Sequence, residues 1–428
     1  MDELQEGTVI KLTNGRTCTV DKELGRGGQG IVYLVDYCGG DFALKWYTRS
    51  YSDAFYTNLK ANAEAGAPSP TFLWPLAVTE KQLGSFGYVM KLRPRGYREF
   101  GSFMLAKVQF ANISANINAA LKICDAFQKL HIRGLSYQDM NDGNFFINPR
   151  NGDVLICDND NVAPDRTNLG IIGKAGYLAP EIVEKKNLPN RYSDYFSMAV
   201  ILFLIFYFNR PFEGRAVTSC PCMTEEMERA LFGSKAVFIM DPDDSSNRPV
   251  KGVHDNVIRR WGMFPKLIED KFVQAFCKQS LLFPNKRVID RDWMNTIIQL
   301  RSMLCKCPIC GEDTFVDPED SVPACIDCDM SFQKPLVLKL DNYRIPMLLG
   351  QKIYAIQLPI EGDLNNVVGE VVANSVTKRL GIKNFSSLVW QAIDPLGDIH
   401  NIAPSEGLPV KNGMTIKFKM GIKAQIIK

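Results

Sequence analysis

The sequence predicts an α+β architecture: two lobes followed by two small modules. Three observations carry this. Over residues 1–91, short apolar–polar alternations are divided by glycine, whereas from about 100 to 303 the apolar residues recur at helical spacing. Between 305 and 330 cysteines cluster, and strand-like runs with glycine, proline and asparagine turns follow. At 428 residues the chain is too long for one ordinary core, so two or three domains are expected.

In the first lobe, Thr8 to Leu12, Cys18 to Leu24, Ile31 to Tyr37 and Asp41 to Trp46 read as strands of an antiparallel sheet. Ser52 to Ala65 reads as the one helix among them, with Ser52 as its N-cap. Phe72 to Thr79 and Phe86 to Leu92 resume strand character. In the second lobe, Asn116 to His131 has Ile117, Ala120, Leu121, Ile123, Cys124, Phe127 and Leu130 at helical spacing. Ser193 to Phe208 is nearly all apolar and is expected as a central buried helix. Lys266 to Leu282 and Asp292 to Leu304 are amphipathic.

Hydrophobic content of 46% with 23% charged residues is that of a soluble globular protein. The net charge of +3 includes no basic block, which argues against nucleic acid or an anionic membrane as main partner. Met1 to Glu6 is acidic and polar, unlike a signal peptide, and Ser197 to Phe208 is too short to span a bilayer. A cytoplasmic protein without membrane insertion is expected. The twelve cysteines then need a role other than disulfides. Cys18, Cys38, Cys124, Cys157 and Cys277 have apolar neighbours and are expected as core thiols.

Four segments carry chemistry. Gly25, Gly27 and Gly30 lie between two strand-like runs, where glycine lets backbone N–H groups approach phosphates closely. A dinucleotide fingerprint would instead open a helix. Lys45 ends an alternating strand and is a cation suited to the same phosphates. Asp139 follows a helix and precedes a strand-like run. A carboxylate there can accept a hydroxyl proton, and the amide oxygen of Asn144 can hold a metal ion. Asp158 follows the strand Asp153 to Cys157 and suits Mg2+ bridging phosphate oxygens. The ordered set is the parts list of ATP-dependent phosphoryl transfer to a hydroxyl.

With these residues the chain resembles the eukaryotic-like protein kinases over 1–303, with an N-lobe at 1–91 and a C-lobe at 92–303. The resemblance implies Lys45 as the β3 lysine, Asp139 and Asn144 in the catalytic loop and Asp158 as the metal aspartate. It also implies Met90 as gatekeeper and Lys91 to Arg93 as hinge, all within a two-lobed protein kinase-like fold. Ala179-Pro180-Glu181, Asp194 and Arg287 match scaffolding positions of that family. Departures are equally specific. Tyr137-Gln138 replaces His-Arg, so a phosphorylated activation loop lacks its usual partner. Asn159-Asp160 replaces Phe-Gly and brings a third carboxylate to the metal region. Asn141 and Lys174 replace a lysine and a threonine. The partner of Lys45 stays open: Glu64 is the spacing candidate, but Ala67-Pro68 follows so closely that Asn58 is the alternative. Gln138-Asp139-Met140, Asp158-Asn159-Asp160 and Arg210 to Gly214 resemble bacterial kinases encoded beside a PP2C-type phosphatase and a von Willebrand A-type protein, often near tellurite-resistance genes.

Cys307, Cys310, Cys325 and Cys328 form two Cys-x-x-Cys pairs, expected to hold one structural Zn2+ in a ribbon at 304–334. The alternatives are a redox dithiol or an iron–sulfur site, and Cys305 is a spare thiol nearby. Cys220-Pro221-Cys222 reads as a loop. Residues 335–428 read as a small all-β, sandwich-like domain. It resembles a degenerate forkhead-associated domain through Leu348 to Gln351, Gly381 to Ser387 and Asn412 to Ile416. Gln357 and Trp390 stand where that family has its phosphothreonine-gripping arginine and its histidine, which implies protein docking rather than phosphopeptide reading.

The expected function is an ATP- and Mg2+-dependent Ser/Thr kinase acting on a bacterial partner protein in signalling or stress response, with ATP, Mg2+ and structural Zn2+ as cofactors. The alternative is a pseudokinase scaffold that binds nucleotide and regulates a phosphatase. A small-molecule phosphotransferase is a third reading, disfavoured by the Glu181 and Arg287 pair.

Overall fold

The computed structural model describes residues 3–170, 173–317, 320–358, 362–419 and 421–428. The chain forms two compact units. One comprises 1–111, 122–258 and 272–291, and the other 112–121, 259–271 and 292–428.

The first unit begins with a six-stranded antiparallel sheet of β1 (Val9–Lys11), β2 (Thr17–Arg26), β3 (Gly30–Tyr37), β4 (Gly40–Tyr47), β5 (Ala77–Val78) and β6 (Gly87–Lys91). Their order is β1-β2-β3-β4-β6-β5. Alternation puts Ile10, Val20, Val35, Leu44 and Trp46 in one apolar cluster. Helix α1 (Asp53–Ala65) is capped by Ser52, whose hydroxyl accepts from the Phe55 N–H, as its sequence predicts. Its Phe55 and Leu59 pack with Tyr47, Tyr88 and Met90 of the sheet.

The expected strand at Phe72 to Thr79 shortens to Ala77–Val78. Pro75 supplies no N–H for a ladder. The stretch before it instead bonds to the later hairpin, through Leu73 N to Ile156 O and Ile156 N to Thr71 O, each at 2.8 Å. Cys38 is another correction. It is exposed rather than in the core, because Cys38 and Gly39 form the two-residue turn between β3 and β4 with φ of 57° and 77°. Cys18 and Cys124 are buried as expected, while Cys157 and Cys277 are half-buried.

Beyond the sheet the chain is mainly helical up to its cysteine pairs, with α2 (Phe100–Met104), α3 (Ile113–Ile132), α4 (Pro180–Val183) and α5 (Arg191–Tyr207). Every residue of α5 from Ser193 to Tyr207 is buried. An Asn190–Ser193 capping box starts it, worth about 1 kcal/mol. The single helix expected over Lys266 to Leu282 is broken into Lys266–Phe276 and Lys278–Leu282, with an extended Cys277 between them. The Ser280 hydroxyl turns back to the Gln274 carbonyl at 2.7 Å across that break.

In the second unit, Leu304–Lys306 pairs with Asp313–Phe315 ahead of the cysteine knuckles. Beyond them lie a six-stranded and a four-stranded antiparallel sheet. They share a core that includes Leu338, Val371, Ile382, Trp390, Ile416 and Ile426. An all-β C-terminal region is therefore present.

Candidate functional site

The glycine segment closes the hairpin of β2 and β3, where Gly27 N donates to Gly30 O at 2.9 Å. At Gly30 a Cβ would lie 2.3 Å from the Trp46 carbonyl oxygen, so only glycine fits. Around Gly25, Gly27 and Gly28 a Cβ would meet nothing within 4 Å. The tip therefore offers open backbone, and its composition fits a phosphate group. Met90 lies in β6 opposite Ala43 of β4, followed by Lys91 at the strand end. The Arg93 guanidinium stacks 4.0 Å from the Phe146 ring centroid.

Lys45 sits on β4 and is only 5% exposed. Its Nζ contacts Gln29 Oε1 at 2.9 Å, Asp158 Oδ1 at 3.2 Å and Asp160 Oδ2 at 2.9 Å. Burial alone would lower its pKa, but Asp160 first and then Asp158 outweigh this and hold it raised. Glu64 is exposed on α1 and does not reach it. Asn58 does not either: its side chain and that of Asn62 each donate to the Val162 carbonyl at 2.8 Å. The open question of the lysine's partner is thus answered by Asp160, a residue with no role assigned from sequence. Its only signal was the extra acid in Asp158-Asn159-Asp160.

Asp139 follows the short strand Leu135–Ser136 in a loop held from behind by α5. Asp194 accepts from Tyr137 N at 2.6 Å and Gln138 N at 3.1 Å. Gln138 adopts φ 72°, a strained left-handed conformation, and its Nε2 donates to the Thr167 carbonyl at 2.6 Å. A neutral amide therefore makes the tie to the following segment. Asp139 Oδ1 accepts from Asn141 Nδ2 at 3.2 Å and Oδ2 from Asn161 Nδ2 at 3.4 Å. Burial raises its pKa, the Asn141 bond pulls it back, and the Asp158 and Asp160 carboxylates push it further up.

Asn144 Nδ2 donates to the Asp139 carbonyl at 2.7 Å, and Asn144 O accepts from Cys157 N at 2.9 Å. The hairpin Phe145–Ile147 and Val154–Ile156 thereby ties Asn144 to the residue before Asp158. Asp158 takes a left-handed φ of 52°, and its side chain is 40% exposed. A carboxylate and an amide oxygen are hard donors that suit Mg2+. Asn159, in contrast, is fully buried, and its Nδ2 donates to Leu73 O and Ile156 O at 2.9 Å.

A cleft of about 700 Å3 opens beside this loop, lined by Glu99, Asn141, Asp142, Lys174, Arg210 and Glu213 among others. Lys174 pairs with Asp142 at 3.2 Å and Arg210 with Glu213 at 2.9 Å. Elsewhere in the same unit, Arg287 grips Glu181 with two bonds of 2.8 and 2.6 Å.

In the second unit, the four sulfurs of Cys307, Cys310, Cys325 and Cys328 lie within 4.8 Å of one another. Tetrahedral zinc at ~2.3 Å from each sulfur needs sulfurs ~3.8 Å apart, so the set fits that ion. The two knuckles match: Ile309 N donates to Cys307 Sγ and Asp327 N to Cys325 Sγ, both at 3.4 Å. Cys305 stands outside the set, buried with Val316 and Phe332, and burial pushes its thiol up to about 12. Gln357 and Trp390 are both buried. Gln357 bonds to Ser302 Oγ at 2.6 Å, and Trp390 packs edge-on against Phe418.

Residues 97–282 match the protein kinase domain family. The matched segment contains Asp139, Asn144 and Asp158, and the glycine hairpin and Lys45 lie ahead of it. The match supports a protein kinase domain over 97–282, a kind of domain that implies ATP, a divalent metal and a protein substrate. No curated protein matches the chain. Among the described residues, no helix is long and apolar enough to cross a membrane.

Proposed function

We propose that the chain is an ATP- and Mg2+-dependent kinase that phosphorylates Ser or Thr of a bacterial partner protein. The observation that carries this reading is the convergence at Lys45. Its ammonium lies 3.2 Å from Asp158, whose hairpin also holds Asn144 and through it the Asp139 loop. Bound Mg2+–ATP supplies the phosphoryl group and the charge that offsets its oxygens. Lys45 would orient the phosphates beneath Gly25, Gly27 and Gly30, with Met90, Lys91 and Arg93 on the nucleoside side. Asn144 and Asp158 would hold the metal. Asp139, raised by its surroundings, would accept the hydroxyl proton as the oxygen bonds to phosphorus and ADP departs.

The adjoining cleft, with charges of both signs, supports a polypeptide acceptor. A two-lobed domain at 1–303, a zinc ribbon at 304–334 and a forkhead-associated-like domain at 335–428 complete the reading. The buried Gln357 and Trp390 favour docking over phosphopeptide recognition. A PP2C-type phosphatase and a von Willebrand A-type protein are the partners to try first, in the cytoplasm. The second reading, a pseudokinase scaffold, is motivated by Asn159-Asp160 in place of Phe-Gly.

Purified protein with γ-labelled ATP and Mg2+, alone and with those partners, tests both readings. Label transferred by the wild type and not by Asp139→Asn supports the kinase. Bound nucleotide without transfer under any pairing supports the scaffold.

A further inference from the structure

The carboxylate that holds Lys45 lies on the same turn as the expected metal ligand, not on a helix. Asp160 is 1% exposed, and both of its oxygens are engaged. Lys45 Nζ lies 3.1 Å from Oδ1 and 2.9 Å from Oδ2, and the Tyr47 hydroxyl donates to Oδ2 at 2.6 Å. The left-handed backbone of Asp158 starts the single turn Asn159–Asn161, which brings two carboxylates to one ammonium. Of these only Asp158 is substantially open to solvent, with its side chain 40% exposed.

The helix beside the sheet holds this turn through neutral groups. Asn58 and Asn62 of α1 donate to the Val162 carbonyl, and the first-turn acid Asp53 is engaged with Lys81.

We infer that Asp160 is the positioning residue for Lys45, which leaves Asp158 available to the metal. This rests on the phosphotransfer reading of the site. With one ammonium between two carboxylates, Asp158 would be free to turn from Lys45 to a divalent cation. Lys45 then keeps a buried partner and its place. Asp160 is unsuited to be a second metal ligand, since Lys45 and Tyr47 already occupy its oxygens. It follows that α1 need not move to place the lysine. Orientation of Lys45 is instead set by the Asp158-Asn159-Asp160 turn and by Tyr47.

Calorimetric binding of Mg2+–ADP to the full chain tests this through a double-mutant cycle of Asp160→Asn and Lys45→Met. Asp160→Asn is expected to weaken binding about tenfold in the wild type. In the Lys45→Met background the same change should cost less than about twofold, because Asp160 acts through the lysine. The Mg2+ concentration needed for half-saturation should rise with Asp158→Asn and stay put with Asp160→Asn. If Asp160→Asn does not fold, Tyr47→Phe, which removes only the hydroxyl tie to Oδ2, should show a smaller loss with the same dependence on Lys45. Equal losses in both backgrounds, or a raised Mg2+ requirement in Asp160→Asn, would overturn the inference while leaving the kinase reading intact. A wild type that binds no Mg2+–ADP would overturn both.

Discussion

The His131 imidazole is clamped between two carboxylates: Asp290 Oδ2 at 2.8 Å from Nδ1 and Asp194 Oδ2 at 3.2 Å from Nε2. Burial alone would depress its pKa, but the two acids outweigh this and hold it at about 9, against an ordinary 6.5. The folded state thus favours the cation. Its contribution is complete below about pH 6.5, fades between 6.5 and 9, and is lost above 9. The gap between those two values corresponds to roughly 3 kcal/mol, with little discount for screening at a site this buried.

His131→Gln keeps polarity and removes the charge. Urea unfolding of both proteins between pH 6 and 9.5 should show the wild type's advantage shrinking by about 3 kcal/mol as pH rises. Comparison with the variant cancels the cysteines and tyrosines that also titrate there. With only three histidines in the chain, the ring resonances can be followed directly, and one should titrate near 9. An His131 resonance that titrates near 6.5, or parallel pH profiles for the two proteins, would refute the reasoning. The same clamp has a functional side, because Asp194 also holds the backbone of Tyr137 and Gln138 ahead of Asp139.

Because Asp139 is raised, the acid limb of kcat/KM should lie above the ordinary aspartate range, with activity falling as pH drops. Asn141→Ala removes a bond that pulls Asp139 down and should move that limb higher; an unmoved limb would assign it to another group. Glu181→Gln leaves the 2% exposed Arg287 side chain without its carboxylate and should cost about 3 to 5 kcal/mol in urea unfolding. A cost under about 1 kcal/mol would mean the pair is replaceable. Elemental analysis should find about one zinc per chain, reduced in Cys307→Ser, and chelation should destabilise the segment around the knuckles. Iron, or no metal, would reject the zinc assignment.

Much of the fold is legible in short windows of sequence. Ser52 announces α1, and the apolar run after Asn190 becomes the buried α5. The two Cys-x-x-Cys pairs converge on one point, as their spacing requires. The misread stretches have local causes that tertiary contacts decide. Residues 72–76 look like strand, but bond to the hairpin at Ile156. Cys277 interrupts an amphipathic pattern that periodicity alone carries through. The Glu64 expectation rested on spacing along α1, and the structure leaves that side chain in solvent.

Residue types and their order define the chemistry on offer: a lysine, the Asp139 carboxylate, the two acids of Asp158-Asn159-Asp160, an amide five residues after Asp139, and four thiols. Which charges meet was decided by packing. Lys45 finds Asp160 across 115 residues of chain, and His131 finds Asp290 across 159. Capping, alternation and knuckle spacing act within a few residues and leave their mark in sequence. A buried ion pair is selected by the desolvation of both partners in the folded interior, and that environment exists only once the sheet, α3 and α5 have assembled.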